Sequence, residues 1–311
     1  MSDLATEIGP LRLANPVMPA SGCFGPELGM LIDLDRLGAL VTKTVFAEPR
    51  SGNPAHRLAE TEGGMLNSIG IPSRGLDAFL RDVLPQYTCR RPPTIVSIGG
   101  LAVGDYWALA ERLRGVPGIA ALELNISCPN LEAGGLEIGA QPRTVEAVVR
   151  GVVDRSDVPV IAKLTPNVTS IVEIARAAEA GGADAVSAIN TLVGMAVDLG
   201  SSRPLLGAGV GGLSGPAIKP VALRMVWEIC NAVALPVIAV GGIATVADAV
   251  EFLSVGARAV QIGTANFARP DAMIRIIDGL AKYVNDHGHS SVQELVGTLR
   301  APALDPTAAR G

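Results

Sequence analysis

Nine residues near the middle of the chain, LELNISCPN over Leu122–Asn130, hold a carboxylate, two amides and a thiol: Glu123, Asn125, Asn130 and Cys128. An amide both donates and accepts hydrogen bonds, so Asn125 and Asn130 suit a ligand that carries carbonyl and N–H groups. A thiol where a strand ends could be a small core hydrophobe, a metal ligand, a nucleophile or a proton-transferring base. The other cysteines, Cys23, Cys89 and Cys230, lie far from Cys128 and from one another. No pair has the close spacing of a zinc or iron–sulfur site, so no metal bound by this chain is expected.

Two cations and a third amide extend the set. Side chains alternate between the faces of a strand, which puts Lys43 on the face of Val41, Lys163 on that of Ile161 and Asn190 on that of Ala188. The same alternation sends Glu123, Asn125 and Ser127 inward while Leu122, Leu124 and Ile126 face outward. Two buried cations without matching carboxylates would be costly, so Lys43 and Lys163 call for an anion or a strongly polar ligand. Glycine-rich ends follow: Gly211, Gly212 and Gly215 in VGGLSGPAIKP, Gly241 and Gly242 in VIAVGGIAT, and Gly263 with Thr264 in VQIGTANF. Glycines let backbone N–H groups approach a phosphate. A phosphate at one end and Lys with Asn at the other suit FMN, where Lys163 would stabilise the charge that builds up on hydride acceptance.

Residues so far apart in sequence need a scaffold that gathers strand ends. Apolar β-rich segments recur at 14–20, 39–44, 94–99, 121–127, 158–164, 183–190, 235–241 and 258–263. Helical patterns fall between most of them, at 105–115, 144–155, 169–181, 217–233, 245–255 and 270–285. Eight alternating units predict an α/β fold, a (β/α)8 TIM barrel, with the polar strand ends at the C-terminal mouth. The rival is an open doubly wound sheet, but ASGCFGPELG after the first strand does not match its GxGxxG fingerprint. The connection over 45–93 exceeds one helix and predicts a β-containing excursion over the mouth. No composition break divides the chain, so 1–311 reads as a single domain.

Composition narrows the function classes. The 311 residues carry a net charge of -5 with 3% aromatics, which gives neither a basic footprint nor stacking platforms for nucleic acid. The N-terminus lacks the basic and apolar regions of a secretory signal, and no apolar run reaches the length of a membrane span. Scattered thiols fit a reducing compartment, so a cytoplasmic location is expected.

As a set, these stretches resemble dihydroorotate dehydrogenase of class 1, NAD-linked type: NPVMPASG (15–22), TKT (42–44), GNPAHRLAETEGGMLNSIGI (52–71), LELNISCPN, VIAKLTPN (160–167), AINTLVGMAVD (188–198), GGLSGPAIKP (211–220), VGGI (240–243) and IGTANF (262–267). The resemblance covers nearly the whole chain. It implies an FMN barrel that oxidises dihydroorotate to orotate in pyrimidine synthesis. It implies FMN contacts from Ser21, Lys43, Thr44, Asn125 and Lys163. Further FMN contacts are implied from Ile189, Gly215, Gly241, Gly242, Gly263 and Thr264. Substrate contacts are implied from Lys43, from Asn67, Ser68, Ile69, Gly70 and Ile71, and from Asn125, Asn130, Asn190 and Thr191.

Cys128 would be the base that removes the C5 proton while hydride leaves C6. No His is placed to activate the thiol as a nucleophile, which favours the same role. A free thiol titrates near about 8.5, so turnover should rise with pH. The segment LEAGGLEIG, with Gly134 and Gly135, reads as a lid that carries the base over the substrate.

No dinucleotide fingerprint is present, so NAD would be reached through a partner subunit. The resemblance implies FAD and a [2Fe–2S] cluster in that partner, and a heterotetramer built on a homodimer of this chain. The quinone-linked class uses a serine base and an N-terminal membrane-binding extension, for which this sequence leaves no room before Met18. The fumarate-linked class shares the cysteine but differs after the sixth strand; dihydroorotate oxidation with fumarate or another direct acceptor is kept as an alternative.

A dihydropyrimidine dehydrogenase-like flavoenzyme remains the nearest alternative, although its iron–sulfur segments have no counterpart here. Phosphosugar isomerases and aldolases would share only the phosphate site, and an inactive assembly barrel would lose the polar strand ends. The sequence departs from the family pattern at Ser97, where an amide is expected, in GIPSRG (70–75), and at Cys23.

Overall fold

The computed structural model describes residues 3–127, 129–130 and 136–300 of the chain. Eight strands make one sheet: β1 (Val17–Pro19), β2 (Leu40–Val41), β3 (Thr94–Ile98), β4 (Ile119–Asn125), β5 (Val160–Leu164), β6 (Ala185–Ala188), β7 (Val237–Val240) and β8 (Ala259–Ile262). Every pairing is parallel, in chain order from β2 to β8, and β8 pairs with β1. The seam between β1 and β2 is crossed by Gly38 N–H, which donates to Val17 O at 2.8 Å. Helices α1 (Val103–Leu113), α2 (Pro142–Val153), α3 (Ile171–Ala180), α4 (Lys219–Cys230), α5 (Val246–Ser254) and α6 (Ala272–Asp286) follow β3 to β8 in turn. This is the expected barrel, strand for strand.

Local chemistry accounts for these elements. All five residues of β5, VIAKL, are buried, as a strand covered on both faces requires. In α2, Val145, Val148, Val149 and Val152 recur on one helical face and are buried, while Pro142 starts the helix. Burying each such valine stabilises the fold by about 1.5–3 kcal/mol. Thr245 caps α5 and Asp248 returns the contact to the Thr245 N–H, forming a capping box.

Alternation divides the core into two parts. Outward side chains such as Val96, Leu122, Leu124 and Ala162 pack beneath the helices. Inward ones form a separate apolar floor of Met18, Val41, Ile95, Ala121, Ile161, Ala185, Ile238 and Ala259. Ile8, Leu11 and Leu13, from the hairpin Thr6–Ile8/Leu11–Leu13, join that floor. One step toward the mouth the inward positions turn polar, with Ser97, Glu123, Lys163, Ser187 and Gln261 all buried.

An antiparallel roof of four strands, in the order Leu192–Gly194, Gly211–Ser214, Gly64–Asn67, Leu58–Thr61, contributes to the cavity described next. The expected excursion supplies only half of it, and the β6–α4 connection supplies the rest. The excursion then runs into a broken helix over Leu76–Thr88. Its buried Leu76, Phe79, Leu84 and Tyr87 keep helical spacing, a signal diluted by Pro85 and by the length of the connection. No helix of the described residues is long and apolar enough to cross a membrane.

Candidate active site

The C-terminal strand ends and the roof enclose a cavity of about 560 Å³, within the range of small-ligand sites. Ser21, Lys43, Thr44, Asn125, Lys163 and Ile189 line it, as do Gly215, Gly241, Gly242, Gly263 and Thr264. Asn67, Ile69, Ile71, Asn190 and Thr191 line it as well. Ser68 and Gly70 do not. They alternate with Asn67, Ile69 and Ile71 and face away: Ser68 Oγ accepts from Asn53 Nδ2 at 2.8 Å, and Gly70 is pressed against Asn53. Three of the five residues expected at the substrate therefore line the cavity. Ile71 holds a left-handed backbone at φ 45°, a strain of about 1–3 kcal/mol for such a residue.

The expectation of two buried, unmatched cations is corrected at both positions. Lys163 is 6% exposed, but the inward parity of β4 brings Glu123 Oε1 within 3.6 Å of its Nζ. Lys163 Nζ also donates to Gln261 Oε1 at 3.2 Å. Its charge is therefore compensated inside the barrel. Lys43 is exposed, with its side chain on the cavity wall. Desolvation, helped by the nearby Arg57 charge and opposed by Glu27, lowers its pKa below the ordinary lysine value of 10.5.

Asn125, at the end of β4, is held from three sides. Tyr106 OH donates to its carbonyl at 2.7 Å, its Nδ2 donates to Thr44 Oγ1 at 3.1 Å, and Asn190 Nδ2 donates to its Oδ1 at 3.3 Å. Ser97 is fully buried and shares a 2.9 Å hydrogen bond with Thr44 Oγ1, so it braces the wall from behind. Asn190 reaches the cavity by a different route from the one expected. Ser187 is the inward residue of β6 and Ala188 packs outward; β6 ends there, so Ile189 and Asn190 can both turn to the cavity. Asn167 lines the same wall, with Oδ1 accepting from Val193 N–H at 2.9 Å and Nδ2 donating to Thr191 O at 3.2 Å. In VIAKLTPN, strand parity singles out Lys163 but not Asn167, which lies beyond the end of β5. Gln261 was also missed, although the inward parity of VQIG would have found it.

At the opposite end, glycine is required by close packing. A Cβ at Gly215 would lie 2.8 Å from Gly64 Cα, at φ 97°. One at Gly242 would lie 2.7 Å from Lys219 Cβ, at φ 76°. Thr264 Oγ1 donates to Ser214 Oγ at 2.8 Å, which ties the β8 end to the roof. Lys219 Nζ lies 2.7 Å from Asp248, whose other oxygen accepts the Ala244 and Thr245 N–H groups and fixes the Gly241–Ala244 turn.

Cys128 and the central lid residues 131–135, Gly134 and Gly135 among them, lie outside the described residues. Asn130 belongs to a short ladder in which Pro129–Asn130 pairs with Leu136–Glu137; its side chain is likewise outside the description. A second thiol, Cys23, lines the cavity itself. Desolvation pushes it up to about 11, against the pull of the Lys163 charge. Cys230 is raised to about 12, also by desolvation. At pH 8 a thiol near 11 is thiolate in roughly one molecule in a thousand. Iodoacetamide at pH 8 is therefore expected to label exposed Cys89 and to spare Cys23 and Cys230, as read by peptide mass spectrometry.

Comparison with known proteins finds relatives over nearly the whole chain. A family model described as dihydroorotate dehydrogenase matches residues 3–284. The chain is 49% identical over 299 residues to the dihydroorotate dehydrogenase B (NAD(+)) catalytic subunit of Geotalea uraniireducens, covering 96% of this chain and 98% of that one. Identity to the subunit of the same name from Desulforudis audaxviator is 52% over 295 residues, with 94% and 96% covered. For the one from Alkaliphilus oremlandii it is 50% over 302 residues, with 96% and 99% covered. The chain belongs to the dihydroorotate dehydrogenase family.

Proposed function

We propose that this chain is a cytoplasmic, single-domain catalytic subunit that oxidises (S)-dihydroorotate to orotate in de novo UMP synthesis, with FMN as its cofactor. The observation that carries this is the meeting of Lys163, Lys43, four amides and the glycine ends of β7 and β8 around one cavity. The cavity residues fit FMN. Ser127 Oγ is buried at the wall with no hydrogen-bond partner among the described residues, a polar atom that suits a ligand group. Lys163 Nζ has three N–H donors, and its neighbours Gln261 and Glu123 leave room for one more acceptor from the cavity. The glycine turns at Gly215, Gly241–Gly242 and Gly263–Thr264 would hold the phosphate.

When bound, FMN supplies the acceptor for the hydride that leaves substrate C6. Lys43 sits on the open wall and would pair with the substrate carboxylate. Asn67, Asn125, Asn190 and Thr191 would orient the ring by donating to its carbonyls and accepting from its N–H groups. Cys128 would take the C5 proton on its sulfur. Desolvation holds Cys23 up near 11, so that cavity thiol is not suited to act as the base.

The two ionisations oppose each other in pH. Cys128 must lose a proton, so kcat/KM rises as pH approaches about 8.5. Lys43 must keep one, and its lowered pKa brings the falling limb below 10.5. The expected profile of kcat/KM is a bell in the alkaline range, and Lys43→Ala is expected to remove the falling limb and raise KM for dihydroorotate about 10–100-fold.

Electrons would pass to NAD through a partner subunit carrying FAD and a [2Fe–2S] cluster, in a heterotetramer built on a homodimer of this chain. The purified subunit is expected to be yellow and to turn over dihydroorotate with an artificial acceptor. NAD reduction is expected only with the co-purifying partner. A colourless protein that cannot be reconstituted with FMN would contradict the proposal. Turnover of dihydrouracil, which lacks the carboxylate, at the same efficiency would instead favour a dihydropyrimidine dehydrogenase-like activity.

A further inference from the structure

Glu123 has no exposed surface, and the chemistry above gives it no task. Its Oε2 accepts from Gln261 Nε2 at 2.7 Å and from Ser187 Oγ at 3.0 Å. Its Oε1 has no hydrogen-bond partner and lies 3.6 Å from Lys163 Nζ. Gln261 closes the triangle, since its own Oε1 accepts from Lys163 Nζ at 3.2 Å. The four side chains come from β4, β5, β6 and β8, so the barrel itself fixes their arrangement. Beneath them lies the apolar floor of Ala121, Ile161, Ala185 and Ala259, which offers neither charge nor hydrogen bonds. Glu123 and Lys163 are the only buried charged residues among the described residues.

A carboxylate in such a place is expensive unless it is paired, and Oε2 alone takes the hydrogen bonds. The oxygen left over is the one turned toward the lysine. We infer that Glu123 is a positioning residue: its carboxylate, anchored by Ser187 and Gln261, orients the Lys163 ammonium and offsets its charge, and so sets the reduction potential of the bound flavin. The inference rests on the placement of Lys163 beside FMN proposed above.

The direction follows from charge. A lone buried ammonium stabilises negative charge added to the ring and raises the potential. A carboxylate behind the ammonium opposes that effect, because the pair acts at a distance as a dipole and not as a full charge. The resulting lower potential suits delivery of electrons onward to a nicotinamide, a weakly oxidising acceptor. Glu123 thus trades some acceptance of hydride for its later release.

The test is anaerobic potentiometry of bound FMN in the holoprotein, against a reference dye. It compares the wild type, Glu123→Gln, Lys163→Met and the double variant. Glu123→Gln is expected to raise the two-electron potential by at least a tenfold change in equilibrium constant, about 30 mV. Introduced into Lys163→Met, it is expected to raise the potential again. The double variant buries no unpaired charge, so it decides the matter if Glu123→Gln alone does not fold. A potential left unmoved or lowered by Glu123→Gln in either background overturns this role, even where stability falls, and leaves the FMN assignment standing. If none of the four proteins, wild type included, takes up FMN, the underlying assignment falls and the inference with it.

Discussion

Replacing Cys128 with Ser is expected to slow the reduction of bound FMN by dihydroorotate by roughly 10²–10⁴-fold, the range of general-base catalysis, while FMN stays bound. A serine hydroxyl has the size of the thiol but ionises far above the physiological range, so it is a poor base at pH 8. Cys128 is not among the residues assigned to FMN; retention of the cofactor is therefore part of the prediction. Stopped-flow absorbance under anaerobic conditions reads both quantities in one experiment. The rate of the variant should also lose the thiol's limb near about pH 8.5. A rate unchanged from wild type would remove Cys128 from the role, and the half-buried Cys23 would then need a new account, since its surroundings hold it near 11.

Lys163→Ala should have the second large effect, on two separate observables. Removing the ammonium leaves Glu123 buried with Oε1 facing empty of any cation, and breaking such a pair costs about 3–5 kcal/mol. Flavin affinity should fall together with stability, because the same ammonium is assigned to the isoalloxazine. The double variant Lys163→Ala/Glu123→Gln separates the two. It should recover most of the lost stability, measured by denaturant unfolding, without recovering FMN affinity or the reduction rate. A double variant that regains wild-type FMN binding would show that Lys163 serves the barrel alone.

Much of this layout is legible in the sequence because a barrel strand is short and its alternation strict. VIAKL and LELN each announce which residues face inward, and the register of β4 on β5 then places Asn125 opposite Lys163. What alternation alone does not give is which inward groups meet. Glu123 was visible as an inward carboxylate, yet its pairing with Lys163 depends on how strands are staggered around the barrel. The same stagger brings in Gln261, which is 138 residues from Glu123 in sequence.

Loops obey no such parity. Beyond Ala188, Asn190 cannot be placed by counting, and in the Asn67–Ile71 segment the contiguous reading admitted Ser68 and Gly70, which face away. The roof was half legible for a related reason. GMLN and GGLS are unremarkable alone, and only their antiparallel pairing, across about 150 residues of chain, makes a sheet of them. The glycines were legible as a group, but the physical reason for Gly215 and Gly242 is packing against Gly64 and Lys219 as much as approach to a phosphate.

The most direct test of the central claim is an anaerobic titration of the purified, yellow subunit with dihydroorotate, following flavin absorbance and orotate together. Stoichiometric bleaching, with one orotate formed per FMN reduced and no partner subunit present, is the predicted result. Flavin that stays oxidised in the presence of excess dihydroorotate would contradict it.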